Sequence, residues 1–271
     1  MLFSGLRPKL YRLWYKALGY GENGRALTVY PDDIWLVGYP KSGNTWLDFL
    51  VASLRAPNVE DVDFFTVEHL VADIYYNNAR QLQLLQRPRY LKSHEPYDAR
   101  YGRVIYVVRD PRDVAVSYYH HYQKLNMLKG DTSLSSFVDA FVAGDLDHGH
   151  DWAEHVSSWL EHKGGAKDML LVRYEDLKRD TVSMLENINL FLDLHASRSR
   201  VAKAVEWCSS SNMRKIEQDQ HMAHPSFRKT RRDIPFVRQA RSGGWKDVLS
   251  SRDVLQITGR WGATMERLGY R

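Results

Sequence analysis

Apolar residues along this chain fall into two rhythms. Short unbroken runs, Ile34-Trp35-Leu36-Val37, Val104-Ile105-Tyr106-Val107-Val108 and Met169-Leu170-Leu171-Val172-Arg173-Tyr174, have the length and residue types of strands covered on both faces. A shorter strand is predicted within residues 89–96, where Arg89-Tyr90-Leu91-Lys92 runs out into Ser93-His94-Glu95-Pro96. Behind the runs the period changes. Trp46, Phe49, Leu50 and Leu54 recur at helical spacing after the first, residues 114–122 do so after the second, and Leu185, Ile188 and Leu192 follow Glu175-Asp176. Pro111 suits a first helical turn, where a missing N–H costs nothing. Strands alternating with helices predict an α/β fold, with a central parallel sheet flanked by helices and functional residues at the strand C-termini. No repeat or clear linker interrupts the pattern, so residues 1–271 read as a single domain.

Three stretches keep neither rhythm. Residues 1–30 read as a helix packed on its own domain, followed by the Gly-rich connection 19–24. Residues 57–86 mix acidic and aromatic side chains with no clean period. Residues 216–245 carry the basic string Phe227-Arg228-Lys229-Thr230-Arg231-Arg232 and the flexible Ser242-Gly243-Gly244. This last stretch reads as a disordered surface loop or as a lid, spanning about 216–246, that orders over an anionic ligand.

Composition narrows the picture modestly. The formal net charge of +5 suits an anionic cofactor as well as nucleic acid or a solvated basic surface. Cys208 is the sole cysteine, so no intramolecular disulfide can form, and a reducing, cytoplasmic location is the simplest expectation. No run approaches the ~18 apolar residues of a membrane span, and the N-terminus is a poor secretory signal.

The chemistry concentrates in Gly38-Tyr39-Pro40-Lys41-Ser42-Gly43-Asn44-Thr45-Trp46. A strand, a Gly-bearing turn and a helix make an anion site, because the first helical turn leaves backbone N–H groups unpaired and positively polarised. Gly38, Gly43 and Thr45 fit the nucleotide-hydrolysing P-loop, but its lysine position holds Asn44; the loop's one lysine is Lys41.

The string Tyr-Pro-Lys-Ser-Gly-Asn-Thr-Trp resembles the 5′-phosphosulfate loop of the cytosolic-type sulfotransferases, which use 3′-phosphoadenosine 5′-phosphosulfate (PAPS) as sulfuryl donor and release 3′-phosphoadenosine 5′-phosphate (PAP). The resemblance continues through residues 106–120, where Arg109 at the strand end and Ser117 in the helix match the family's 3′-phosphate ligands. An arginine fork suits a phosphate; the bland alternative pairs Arg109 with Asp113. Near the C-terminus the family's Arg-Lys-Gly-x-x-Gly-Asp-Trp-Lys survives as Arg238, Gly243, Trp245 and Lys246. Gln239, Ala240 and Gly244 replace the lysine, first glycine and aspartate. The resemblance implies that Arg238 still meets the 3′-phosphate, whereas Ala240 restricts φ and calls the loop's path into question.

By the same likeness, Lys41, Ser42, Gly43, Asn44, Thr45 and Trp46 form the donor loop, and Trp46 and Tyr174 flank the adenine. Ser209 is carried over weakly, because Ser210 stands where the family stacks a phenylalanine; Trp207 is a candidate replacement. Lys92-Ser93-His94 resembles the family's Lys-x-His, with His94 the general base and Lys41 and Lys92 the catalytic cations. A histidine titrates near neutrality and so can take a proton from an attacking hydroxyl or amine. The implied reaction is in-line sulfuryl transfer without a metal, resting on positioning and charge stabilisation.

Two other readings compete. A P-loop kinase or NTPase needs the lysine that Asn44 replaces. A nucleic-acid-binding module would use residues 228–232, but that cluster is short and lacks interleaved aromatics. The expected acceptor is a small molecule, bounded by residues 60–90, 118–150 and 216–236. Tyr75, Tyr76, Tyr119 and Tyr122 would give a phenol-accepting wall, or acidic residues there a site for an amine. A homodimer stays open.

Overall fold

In the computed structural model the described residues are 27–146 and 151–271. The helix expected in residues 1–30 falls largely outside them. In chain order the elements are β1 (Ile34–Gly38), α1 (Asn44–Arg55), α2 (Phe64–Leu70), β2 (Ala72–Asp73), α3 (Ala79–Gln83), β3 (Tyr90–Ser93), β4 (Arg103–Val108), α4 (Pro111–Lys124), α5 (Leu134–Val142) and α6 (Trp152–Lys163). Then come β5 (Met169–Arg173), α7 (Tyr174–Arg179), α8 (Thr181–Leu192), α9 (Arg198–Trp207), α10 (Ser210–Gln220) and α11 (Ser251–Arg267), with 3₁₀ turns at Val59–Asp61 and Gly244–Asp247.

The strands form one parallel sheet in the order β2-β3-β1-β4-β5. Because side chains alternate along a strand, the unbroken apolar runs supply both faces. Trp35, Val37, Leu91, Val104 and Tyr106 pack under α4, α5, α6 and α11. Ile34, Leu36, Tyr90, Ile105, Val107 and Val172 pack under α1, α2, α8 and α9. The neighbouring strands β1 and β4 therefore send their following helices to opposite faces. A crevice opens at their C-terminal ends, which is where ligands bind in open α/β sheets.

Two expectations need correction. Tyr174, read as the last residue of a strand, is the first of α7 and is buried; its position after the sheet's edge lets the chain turn under the loop leaving β1. Residues 216–245 are not wholly irregular: 216–220 complete α10, and Gly244–Asp247 is a 3₁₀ turn. Phe227, read as part of a basic surface string, is buried in the lower core beside Phe64 and Phe236.

Candidate active site

The loop leaving β1 is wound as tightly as its sequence allows. A Cβ on Gly38 would lie 2.5 Å from the Val107 carbonyl oxygen and 2.6 Å from Asn44 Oδ1, so only glycine lets the loop lie against β4. Gly43 takes φ 104° at the cap of α1, and a Cβ there would meet the Tyr174 ring at 2.6 Å. Lys41 is itself left-handed, with φ 68°. Among the described residues no side chain caps α1, which leaves its first N–H groups to an outside partner. Around that end, Ser42 Oγ, Asn44 Oδ1 and Arg109 Nε are buried and lack hydrogen-bond partners among the described residues. Buried polar atoms are ordinarily paired; Asn44 Oδ1 is turned against Gly38, but Ser42 Oγ and the nearby Arg109 Nε are orphans that point to a ligand.

Arg109 gathers the three sequence motifs. Its guanidinium lies 4.3 Å above the Tyr174 ring, donates to the Arg241 carbonyl at 2.9 Å, and reaches the Lys41 carbonyl at 3.5 Å. The alternative ion pair with Asp113 is stretched to 3.8 Å. Asp113 instead accepts from the backbone N–H groups of Gly243 and Trp245, at 2.7 and 3.0 Å, and pins the C-terminal motif to α4.

Beside it, Lys41, Ser117, His120, His121, Lys124, Pro235, Phe236 and Arg238 line a small cleft. Thus Ser117 and Arg238, expected to share one phosphate, do share one cleft. Burial, then the charges of Lys92, Arg109 and Lys124, push Lys41 down to about 7. Arg238 is lowered by burial and by Arg109 and Arg241. Buried cations depressed in this way are stabilised by a bound polyanion.

The segment over this cleft has a fixed path. Lys124 is buried at the end of α4; its ammonium donates to Glu217 at 3.0 Å and to the carbonyls of Ile234 and Arg231 at 2.9 and 3.2 Å. Glu217 in turn accepts from the N–H groups of Phe236 and Val237, and Arg214 donates to the Val237 and Arg238 carbonyls. Ala240 adopts φ 50°, the left-handed conformation that favours glycine, so the loop turns there at the expense of strain. Gln239 is exposed and accepts from Arg241 Nε at 3.1 Å.

Trp46 and Tyr174 meet edge-on at 5.8 Å, and Trp46 Nε1 donates to the Cys208 carbonyl at 3.0 Å. Ser209 follows directly and caps α10 by accepting from Asn212 N–H. Trp207 is tied to the Val62 carbonyl at 2.7 Å. Thr45 lies half-buried in the first turn of α1.

His94 follows β3. Its Nδ1 lies 2.7 Å from the Gly38 carbonyl oxygen, which can only accept, so Nδ1 carries the proton and Nε2 is the basic nitrogen. The His94 backbone N–H donates to the Tyr75 hydroxyl at 3.0 Å, and that hydroxyl donates to Glu95. Lys92 is placed differently from a bare catalytic cation. It lies 3.3 Å from Asp73 and 3.6 Å from Asp48, which hold its charge in place against the effect of burial. Asp48 is pushed up to about 7 by that same burial. These two carboxylates were not among the candidate residues. The available signal was an acidic residue between Leu47 and Phe49 on a helix buried almost all round, which demands a partner.

The tyrosines proposed for the acceptor wall divide. Tyr122 is core, packed with Tyr118 and Phe137. The Tyr119 hydroxyl donates to the Thr132 carbonyl, Tyr75 holds His94, and Tyr76 is half exposed.

A family model described as "Sulfotransferase domain" matches residues 31–269. Sulfotransferase 1E1 of Cavia porcellus is 29% identical over 249 residues, covering 87% of this chain and 83% of that protein. Sulfotransferase 4A1 of Mus musculus is 30% identical over 190 residues, covering 66% of each. The crystal structure of mouse sulfotransferase SULT7A1 complexed with PAP superposes with a TM-score of 0.70 at 25% identity, covering 89% of this chain and 86% of that one.

Proposed function

The chain belongs to the sulfotransferase family, whose reaction is sulfuryl transfer from PAPS, and we propose that its crevice between the Lys41 loop and residues 216–246 seats that donor while His94 deprotonates a small-molecule hydroxyl or amine. The observation that carries the reading is the pair of Ser42 Oγ and Arg109 Nε, buried without partners among the described residues beside the start of α1, next to Lys41, which burial and the neighbouring cations push down.

PAPS, when bound, supplies the sulfuryl group on its 5′-phosphosulfate. The N–H groups of Gly43 and Asn44, with Ser42 and Thr45, hold the 5′ oxygens, and Lys41 offsets charge on the leaving phosphate. Arg109, Ser117 and Arg238 take the 3′-phosphate, with the backbone of Gln239 and Ala240 closing the loop around it. Trp46, Tyr174 and Ser209 border the adenine. His94 Nε2 takes the acceptor's proton, and Lys92, kept charged by Asp48 and Asp73, remains a donor at the same strand end. Residues 216–246 form the cover, anchored by Lys124 and Glu217. Asn44 Nδ2 is tied to the Tyr39 carbonyl at 3.1 Å, so the P-loop lysine position offers no cation to a nucleoside triphosphate. The lone thiol of Cys208 is buried and pushed up to about 12 by that burial, which fits a structural role in a reducing, cytoplasmic setting.

Calorimetric titration with PAP in metal-free buffer tests the reading. Wild type is expected to bind, and Arg109→Ala to bind at least about 100-fold more weakly, since a charge-assisted fork is lost. Absence of binding by wild type would leave the family relationship as ancestry without the activity. A panel of phenols, alcohols and amines with sulfur-labelled PAPS then identifies the acceptor.

A further inference from the structure

Helix α6 carries no sequence motif used above, yet one of its faces is devoted to the segment that follows β3. His155 Nε2 lies 3.1 Å from the His94 carbonyl oxygen, Trp159 Nε1 donates to the Glu95 carbonyl at 3.1 Å, and Ser158 Oγ accepts from the Tyr97 N–H at 3.0 Å. Positions 155, 158 and 159 share one helical face. Together they supply, from side chains, the hydrogen bonds that a sheet would have supplied had β3 continued.

The proton positions follow from the partners. A carbonyl only accepts, so His155 Nε2 carries its proton, and Nδ1 is the acceptor for the Tyr106 hydroxyl at 2.9 Å. Tyr106 is fully buried in β4 and His155 nearly so, with the Tyr39 ring set edge-on against His155 at 5.7 Å. The result is a directed chain from the Tyr106 hydroxyl through the His155 imidazole to the His94 carbonyl. His94 is then fixed at three points by three elements: carbonyl to His155, N–H to Tyr75, and Nδ1 to Gly38. A buried imidazole whose two nitrogens are both committed, one to a catalytic segment, exceeds what packing requires, because an apolar side chain of similar volume would fill the space without desolvating polar atoms.

We propose that His155, oriented by Tyr106, is a positioning residue for His94: it sets the pitch of the His94 backbone so that Nδ1 stays on the Gly38 carbonyl and Nε2 faces the crevice. The assignment rests on His94 being the base. Nitrogen-15 NMR of the imidazoles in the PAP-bound protein reads the His94 tautomer directly. Wild type should show a single Nδ1–H form. In His155→Leu and Tyr106→Phe that form should become a mixture, and sulfate release from PAPS to water should fall between about tenfold and 10²-fold. PAP affinity should stay within about twofold of wild type, since the phosphate contacts lie elsewhere.

His155→Gln, whose amide N–H can replace the Nε2–H, should restore both the tautomer and the rate to within about threefold; it also serves if the leucine variant does not fold. Unchanged His94 signals and an unchanged rate in Tyr106→Phe and the folded His155 variants would overturn the proposal, as would a Gln variant no better than Leu. Wild-type sulfate release by His94→Ala would remove the base itself and the proposal with it, whereas loss of PAP binding in wild type would strike the donor site alone.

Discussion

The two sides of the crevice are built in opposite ways. On the donor side, Lys41, Arg109 and Arg238 come together with the charges of Lys92 and Lys124 close enough to act on Lys41, and Ser42, Asn44 and Arg109 keep buried atoms without partners among the described residues. On the base side, Lys92 is held by Asp48 and Asp73, and His94 is bonded at its N–H, its carbonyl and its ring. On the function proposed above, the first side is completed by a ligand that brings negative charge, whereas the second has its charges paired within the chain. A site for a polyanion tolerates internal repulsion because binding relieves it, whereas a proton-transfer group works only if its geometry precedes the substrate.

The sharpest way to separate the sides is to cut the base. His94→Ala should lower PAPS turnover with an acceptor from the panel by about 10²–10⁴-fold while PAP binds as in wild type; a parallel loss of PAP affinity would mean that the sides are not independent. Next comes the anchor of residues 231–237 on α4 and α10. Lys124→Met leaves Glu217 buried without its cation and should cost about 3–5 kcal/mol in thermal or denaturant unfolding. Glu217→Gln retains acceptance from Phe236 N–H and should cost less.

A finer test reads the crowding itself. Lys41, ordinarily near 10.5, sits at about 7 in the free protein. A bound anion favours the charged form, so PAP binding at about pH 8.5 should take up as much as about one proton, seen as a dependence of binding enthalpy on buffer ionisation. Uptake should vanish near about pH 5.5, where Lys41 is already charged, and in Lys41→Met. The stability sign follows: between about pH 7 and 10.5 the unfolded chain binds more protons, so the free protein gains stability as pH rises through that window. The smallest effect belongs to Ala240→Gly, which exchanges left-handed strain for added chain entropy and should shift stability by about 1 kcal/mol or less.

The strand-loop-helix at residues 34–55 was legible because each of its requirements is local: an apolar run, glycines at 38 and 43 that the turn demands, and a helical period behind them. The strand C-termini carrying His94 and Arg109 were legible for the same reason. Residues 221–243 were not, because among them there are only turns, with no helix or strand to carry a period. Their path depends on Lys124, Glu217 and Arg214, and on Phe227 reaching the core under Phe64. Nor could Lys92 be seen as paired, since Asp48 and Asp73 come to it from α1 and from the neighbouring strand β2, both distant in sequence.

By itself, then, the sequence determined the α/β layering, the tight glycine-bearing loop after β1 and the residue types at the strand ends, all of which depend on neighbours a few positions away. Only the tertiary structure decided which charges are neutralised and which remain open, which tautomer His94 holds, and that Ala240 follows the path of a glycine. Those properties depend on burial and on partners distant in the chain, and no spacing of residues encodes a dielectric environment or the direction of a remote carbonyl.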